Sequence, residues 1–366
     1  MSAPRLRVLF ALPGLHRVSR GAEAAFENVA RQLAGRDDFE VTLIGSGTER
    51  EGEPYRFLHA PMKPRERFEK WPRLPPLRSE YRWEELTFIP GLWRTIRPAD
   101  YDVTLTCSYP FVNWALRMRR RGGKPRHVFV TQNGDWPAQR RNAEYKLFSC
   151  DGLVCTNPEY FERQKNTWRC ALIPNGMDAA RYTPGPAERA AFNIPADVPV
   201  VLMVSALIPS KFVAAGVRAV ARLSGVHLVV AGDGPQRAEV DALAAQLLPG
   251  RFTRLTTTMD RMPALYRCAD VFLHLSRDEA FGNVYIEALA TGLPVVGHDY
   301  PTARWILGEF GRLVDTTDDQ RTADALQAAL SAPREPDRRH AFAADRYDWP
   351  AVGAHYADFL RKVVTA

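Results

Sequence analysis

Short apolar runs recur along this chain, separated by stretches of helical periodicity, and their order predicts a parallel-sheet architecture built twice. Leu6 to Leu12 is the first run. Pro13-Gly14 follows, and then Phe26, Val29, Ala30 and Leu33 recur at i, i+3, i+4 and i+7, which reads as strand, glycine loop and helix. Further β-rich runs come at Val41–Ile44, Val103–Thr106, Val128–Thr131 and Leu153–Thr156. Most are separated by enough chain for a crossover helix, as parallel strands require. An insertion at about 60–97 interrupts the series. Turn formers crowd Pro174-Asn175-Gly176 and Thr183-Pro184-Gly185-Pro186, which predicts a boundary near residues 175–195. The cycle then restarts with Val200–Val204, His227–Ala231, Val271–Leu275 and Pro294–Val296, alternating with helical stretches such as Gln236–Leu248. Val352–Val364 reads as a closing helix, with Asp348 as its cap and Pro350 in its first turn.

A length of 366 residues and an apolar fraction of 46% fit two α/β domains. No stretch approaches the ~18 consecutive apolar residues of a membrane span, and the N-terminus lacks the long apolar segment of a secretory signal, so a cytoplasmic protein is expected. Cys107, Cys150, Cys155, Cys170 and Cys268 fall at irregular spacings without a matching His cluster; they read as reduced core residues, neither a disulfide framework nor a zinc site.

The net charge of +7 is uneven: residues 1–180 hold 29 Lys/Arg against 21 Asp/Glu, and residues 181–366 hold 20 against 21. Such asymmetry suits nucleic acid, an acidic substrate or an anionic membrane surface. Between Lys63 and Arg97, nine Lys/Arg interleave with Phe68, Trp71, Tyr81, Trp83, Phe88 and Trp93. That surface suits lipid headgroups on the inner face of a cytoplasmic membrane, whereas no nucleic-acid partner is expected. A proline-rich insertion whose aromatics pack on their own domain fits the composition equally well.

The stretch from Ala269 to Val296 carries the most chemistry. An apolar strand leads to a polar loop with Glu279, then to Phe281-Gly282-Asn283 and a helix that includes Glu287. Ligands of α/β folds bind at the carboxyl ends of parallel strands, and the free amides of a helix N-terminus favour phosphate. Gly282 lets the backbone come close. Glu279 in the loop and Glu287 about one turn into the helix can face one ligand, and a carboxylate, which only accepts hydrogen bonds, suits the hydroxyls of a ribose and a hexose. Two such glutamates are otherwise ordinary solvated charges.

The whole phrase Glu279-Ala-Phe-Gly-Asn-Val-Tyr-Ile-Glu287-Ala-Leu-Ala-Thr-Gly-Leu-Pro-Val-Val resembles the E-x(7)-E motif of retaining GT-B glycosyltransferases, especially family four. The resemblance extends to Pro174-Asn175-Gly176-Met177-Asp178, Val229 to Pro235, the turn ending in Asp270, and Tyr347-Asp348-Trp349. It implies an α/β GT-B fold: two Rossmann-like domains with parallel sheets facing a central cleft. The expected division is 1–180 for the acceptor, 181–345 for the nucleotide sugar, and a helix at 346–366 returning to the N-terminal domain.

By the same resemblance Glu287 holds the ribose, Glu279 contacts the transferred sugar, and the amides near Phe281, Gly282 and Asn283 cradle phosphate or sugar oxygens. Lys211 matches the family's lysine facing the pyrophosphate, where it would stabilise the leaving nucleoside diphosphate. Pro13-Gly14 and Arg20-Gly21-Ala22-Glu23 resemble the glycine-rich loop that approaches the donor phosphate, although Gly14 and Gly21 serve simple turns equally well.

The chain departs from the family at three places. Ser205-Ala206 stands where many members have Gly-Arg, which leaves Lys211, or Arg304 as a substitute, to meet the diphosphate. Phe212 follows Lys211 in place of Gly. Gln132-Asn133-Gly134-Asp135 stands where many have a histidine; His16, in the first loop, fits a place near the cleft, and as a lone histidine more often a structural role.

The chemistry implied is front-face substitution by a metal-independent hexosyltransferase, with a UDP-, GDP- or ADP-sugar as co-substrate and no cofactor. A double displacement needs a second carboxylate, for which Asp135 is an unsupported candidate. Asp100-Tyr101-Asp102 reads as a strand lead-in, not a metal clamp. The expected acceptor is a glycan or lipid-linked glycan of cell-surface polysaccharide synthesis. A sugar-nucleotide 2-epimerase and a non-catalytic sugar-nucleotide-binding scaffold are the alternatives.

Overall fold

The computed structural model describes residues 5–18, 20–118, 120, 122–139 and 147–365. The chain divides into two compact units, one made of residues 1–175 with 349–366, the other of residues 176–348.

Unit 1 contains β1 (Leu6–Ala11), α1 (Gly21–Ala34), β2 (Phe39–Gly45), β3 (Arg56–His59), α2 (Glu80–Thr95), β4 (Val103–Thr106), α3 (Phe111–Met118), β5 (Arg126–Val130), β6 (Gly152–Cys155), α4 (Pro158–Gln164) and β7 (Cys170–Leu172). Its seven strands form one sheet in the order β3-β2-β1-β4-β5-β6-β7, and every pairing is parallel. The central strands are buried along their length, with Val8, Leu9, Phe10, Val103 and Leu105 fully removed from solvent, so their continuous apolar runs are what a doubly covered sheet demands. The last helix, Trp349–Val364, packs on α1 through Val352, Tyr356, Leu360 and Val363.

The segment at 60–97 is a structural part of this unit. A short 3-10 turn (Arg65–Phe68) leads to α2, the crossover between β3 and β4, whose Phe88, Ile89 and Leu92 pack with Leu9 and Ile44. Pro90 lies inside α2 on its exposed side. Phe68 is buried against Trp71 and Trp83, and the Trp93 indole donates to the Ala115 carbonyl at 3.2 Å. Trp71 and Leu74 keep 47% and 58% of their surface exposed. Most aromatics of this segment therefore pack on their own unit.

Unit 2 repeats the plan with β8 (Val200–Val204), α5 (Val213–Ala221), β9 (His227–Ala231), α6 (Arg237–Leu247), β10 (Phe252–Leu255), α7 (Met262–Arg267), β11 (Val271–His274), α8 (Asn283–Ala290), β12 (Val295–His298), α9 (Pro301–Leu307), β13 (Gly311–Val314), α10 (Asp319–Ser331) and α11 (Pro336–Tyr347). Its six strands run parallel in the order β10-β9-β8-β11-β12-β13, between two apolar layers. Asp348 ties the end of this unit to its start: its Oδ1 accepts from the Ala179 N–H at 3.2 Å, beside the Met177 N–H to Tyr347 carbonyl bond of 2.8 Å.

Two Rossmann-like units of parallel sheet are the α/β architecture expected of a GT-B chain. In each, the strand order reverses once, between β1 and β4 and between β8 and β11. Crevices at such reversals, outside the carboxyl ends of the strands, are where open α/β sheets bind ligands. Among the described residues no helix is long and apolar enough to cross a membrane.

Candidate active site

In unit 2 the two loops that leave the reversal carry Lys211, after β8, and Glu279, after β11. The adjacent strands set them side by side, with Val271 opposite Val201 and Phe272 opposite Leu202. The Lys211 ammonium pairs with Glu279 Oε1, and the same oxygen takes a hydrogen bond from His274 Nε2 at 3.0 Å. Burial works to raise the Glu279 carboxyl, but the His274 and Lys211 contacts outweigh it and hold the group at about 2. Glu279 is therefore a carboxylate at neutral pH, able to accept hydrogen bonds and unable to act as an acid.

Gly282 is the N-cap of α8 at φ +93°, and no side chain caps the helix. A Cβ at this position would come within 3.0 Å of the Tyr285 ring. Both the left-handed turn and the close packing thus require glycine. The Phe281 ring belongs to the core, 3% exposed and edge-on to Trp305 and Tyr347, which leaves its backbone as the part that can meet a ligand. Asn283 opens α8, and Glu287 lies one turn on. Glu287 Oε2 accepts from the buried Tyr266 hydroxyl at 2.8 Å, and desolvation raises its carboxyl.

Phe212 occupies the left-handed region, φ 53° and ψ 34°, between the 3-10 turn Pro209–Lys211 and α5. A residue without a Cβ adopts this conformation freely, which is the physical reason glycine suits the position after the lysine. Here the Phe212 ring is covered by the Arg277 guanidinium, 4.1 Å from its centroid. Arg277 makes no ion pair among the described residues. Arg304 is instead held by Asp299 through two bonds of 2.5 and 2.7 Å, with 65% of its side chain exposed.

In unit 1, Gly14 follows β1 and packs against the Glu23 carboxylate, leaving no room for a Cβ; its carbonyl accepts the Arg17 and Val18 amides at 3.0 Å. Gly21 opens α1 and is exposed. Burial raises the Glu23 carboxyl. His16 is structural: it stacks on Phe57 at 4.0 Å, and its ring nitrogens meet the Thr48 carbonyl and the Tyr55 hydroxyl, each at 2.9 Å. Asp135 is buried and receives bonds from Arg163, Gln164 and Gln139 at 2.8–3.1 Å, a hub that joins its own loop to helix α4. Asp102 directly precedes β4 and is forked by Arg7 at 3.2 Å. Among the described residues no three His, Cys, Asp or Glu side chains gather as metal ligands.

Sequence reasoning did not single out His274, Tyr266 or Arg277. His274 had a legible signal, a polar residue ending an apolar strand. Tyr266 entered only as the first residue of the turn ending in Asp270, and Arg277 had no signal; their partners lie 21 and 65 residues away in the chain.

Comparison with known proteins agrees with the motif. The profile of Glycosyl transferases group 1 matches residues 186–348, and that of Glycosyltransferase Family 4 matches residues 19–181. A lipopolysaccharide core biosynthesis glycosyltransferase, LpsE of Rhizobium meliloti, is 29% identical over 63% of this chain and 69% of its own length. A GDP-mannose-dependent alpha-(1-6)-phosphatidylinositol monomannoside mannosyltransferase of Mycolicibacterium smegmatis is 31% identical over 51% of this chain and 55% of its own. Matches to several such relatives therefore span little more than half of their length.

Among solved structures, sucrose-phosphate synthase from Thermosynechococcus elongatus superposes with a TM-score of 0.81 at 20% identity, over 99% of this chain and all of its own. Anabaena HepE in complex with UDP and glucose gives 0.73 at 19%, over 98% and all of its own. With the motif, both profiles and the fold in accord, the chain belongs to the group 1, family 4 glycosyltransferases.

Proposed function

We propose that this glycosyltransferase moves a hexose from a nucleotide-sugar donor to a glycan or lipid-linked glycan of the cell envelope, with retention at the anomeric carbon. The observation that carries the reading is the meeting of Lys211 and Glu279, 68 residues apart, at the reversal of the unit 2 strand order.

In this reading Glu287, held by Tyr266, accepts the ribose hydroxyls, and the uncapped amino end of α8 receives phosphate oxygens. Glu279 accepts hydroxyl hydrogen bonds from the hexose. Lys211 turns from Glu279 to the diphosphate, with Arg277 as a second cation. Together they stabilise charge on the leaving group, an effect worth a few kcal/mol per well-placed group. The bond from the anomeric carbon to the diphosphate breaks as the acceptor oxygen bonds on the same face, and a diphosphate oxygen takes the acceptor proton. Leaving-group stabilisation is assigned to these side chains and not to a metal ion, so activity in excess chelator is the expected result.

The cell-envelope acceptor is supported by the lipopolysaccharide-core and phosphatidylinositol-mannoside activities of the relatives and by the basic first half of the chain. Trp71 and Leu74, exposed among Lys70 and Arg73 in the 60–97 segment, are suited to an anionic membrane surface. Vesicle co-sedimentation tests this part, and equal binding by wild type and a Trp71→Ala, Lys70→Ala, Arg73→Ala variant removes it.

The function itself is tested by following nucleoside diphosphate release and the anomeric configuration of the product by NMR. Release that depends on acceptor, with the donor's configuration kept, supports the proposal. An inverted product refutes retention, and release at the full rate without acceptor points to the epimerase instead.

A further inference from the structure

At the opposite end of the unit 2 strands, where Asp270 and Pro294 lead into the amino ends of β11 and β12, lies a hollow of about 220 Å³. Its charged lining is three arginines, Arg267, Arg334 and Arg339, against one aspartate, Asp270. That aspartate is already covered by Arg189 at 2.8 Å and Arg334 at 2.5 Å. It has no charge left for the others.

Arg339 is 7% exposed, and its Nη1 donates only to the Gly292 carbonyl at 3.3 Å. Its Nε is buried without a partner, and among the described residues no carboxylate pairs with the guanidinium. The Arg267 side chain, half-buried over Gly185, makes no hydrogen bond or ion pair to any described residue. An unpaired cation withdrawn from water is costly, and desolvation works against the charge of Arg339. Such a charge is balanced by an anion that the guanidinium forks can grip.

The backbone keeps the hollow in shape. Gly292, at φ +84°, lets the end of α8 approach the start of α11, since a Cβ there would lie 2.8 Å from Pro336 Cα. A volume of 220 Å³ is below the roughly 300 Å³ at which drug-sized ligand pockets begin, so the occupant is small.

We propose that this hollow is a second anion site that binds a phosphoryl group, as free phosphate or as a small phosphate monoester, through Arg267 and Arg339. The site is separate from the donor residues and does not depend on the reading given to them.

Thermal unfolding is followed in wild type, Arg267→Ala and Lys211→Ala, titrated with inorganic phosphate or a hexose 6-phosphate against chloride at matched ionic strength. Arg267→Ala removes a side chain that nothing in the fold is bonded to, and Arg339→Lys serves as a second variant that keeps the buried charge. The wild-type midpoint should rise saturably by a few degrees, as a ligand of the native state requires. Lys211→Ala should keep that rise, while Arg267→Ala and Arg339→Lys should weaken the apparent affinity by about tenfold, the effect of losing one charged hydrogen bond. Tighter binding of the hexose phosphate identifies the monoester as the source; equal binding identifies the phosphoryl group alone. Absence of a saturable rise in wild type, or a rise that Arg267→Ala retains in full or Lys211→Ala loses, overturns the proposal.

Discussion

Phe212 offers a test in which the sign of the answer is diagnostic. Its φ of 53° and ψ of 34° put a side chain where L-residues lose about 1–2 kcal/mol, and its ring is held under the Arg277 guanidinium at 4.1 Å. The cation–π contact contributes about 0.5–1 kcal/mol at such a partly exposed position. Phe212→Ala keeps the backbone strain and loses the ring. Phe212→Gly loses the same ring and releases the strain, at an entropic cost of about 0.5–1 kcal/mol from the looser unfolded chain.

Glycine should therefore be the more stable of the two variants by about 1 kcal/mol, whereas at an ordinary helical position alanine leads by a similar margin. For a unit of this size that margin corresponds to about 2–4 °C in melting temperature. Parallel urea and thermal melts of wild type and the two variants supply the comparison. An alanine variant as stable as the glycine variant, or more so, refutes the account of a strained turn. Phe212→Val, with a branched β-carbon at positive φ, should be the least stable of the series.

Glu279→Gln should destabilise the protein at pH 7 by on the order of 2–3 kcal/mol, since the folded carboxyl sits at about 2 against an ordinary 4.5. Because the folded form binds its proton more weakly, this contribution is complete above about pH 5 and fades as pH falls towards 2; a urea-melt difference that stays constant from pH 7 to pH 3 contradicts it. Glu85 behaves oppositely: burial pushes its carboxyl up to about 7, and its Oε1 has no partner. Its favourable state is the protonated one, so stability is lost as pH rises from about 4.5 through 7. Glu85→Gln should be more stable than wild type by on the order of 2 kcal/mol at pH 8, with the gap closing near pH 5. Glu287→Ala should weaken nucleoside diphosphate binding by roughly tenfold in calorimetry, the loss of about one charged hydrogen-bonding group; unchanged affinity removes Glu287 from the ribose.

The two sheets were legible in the sequence because their inner strands are apolar on both faces. Runs such as Val103–Thr106 and Val200–Val204 fall on buried strands of the structure. The strands that escaped notice are β3, β7, β10 and β13, the four outer edges. Each has only one neighbour and meets solvent, so Arg56-Phe57-Leu58-His59 and Phe252-Thr253-Arg254-Leu255 mix polar and apolar residues instead of running apolar. Helix α2 was hidden for another reason: Pro90 and a weak apolar stripe disguise a crossover whose Phe88 and Leu92 are fully buried.

At the site, the glutamates and the lysine were readable as a motif, and the departure at Phe212 acquires a physical meaning from its left-handed backbone. Arg304, the substitute cation expected by type, pairs with Asp299 at the surface through Nε and Nη2. Arg277 stands on the Phe212 ring next to Lys211, a contact between two loops that spacing alone does not disclose.

The most direct measurement is a crystal structure with whichever of UDP, GDP or ADP raises the melting temperature. The diphosphate is predicted to lie at the carboxyl ends of β8 and β11, with Lys211 Nζ within hydrogen-bond reach of a phosphate oxygen and both ribose hydroxyls on Glu287. A nucleotide bound elsewhere, with Lys211 still paired to Glu279, contradicts the account.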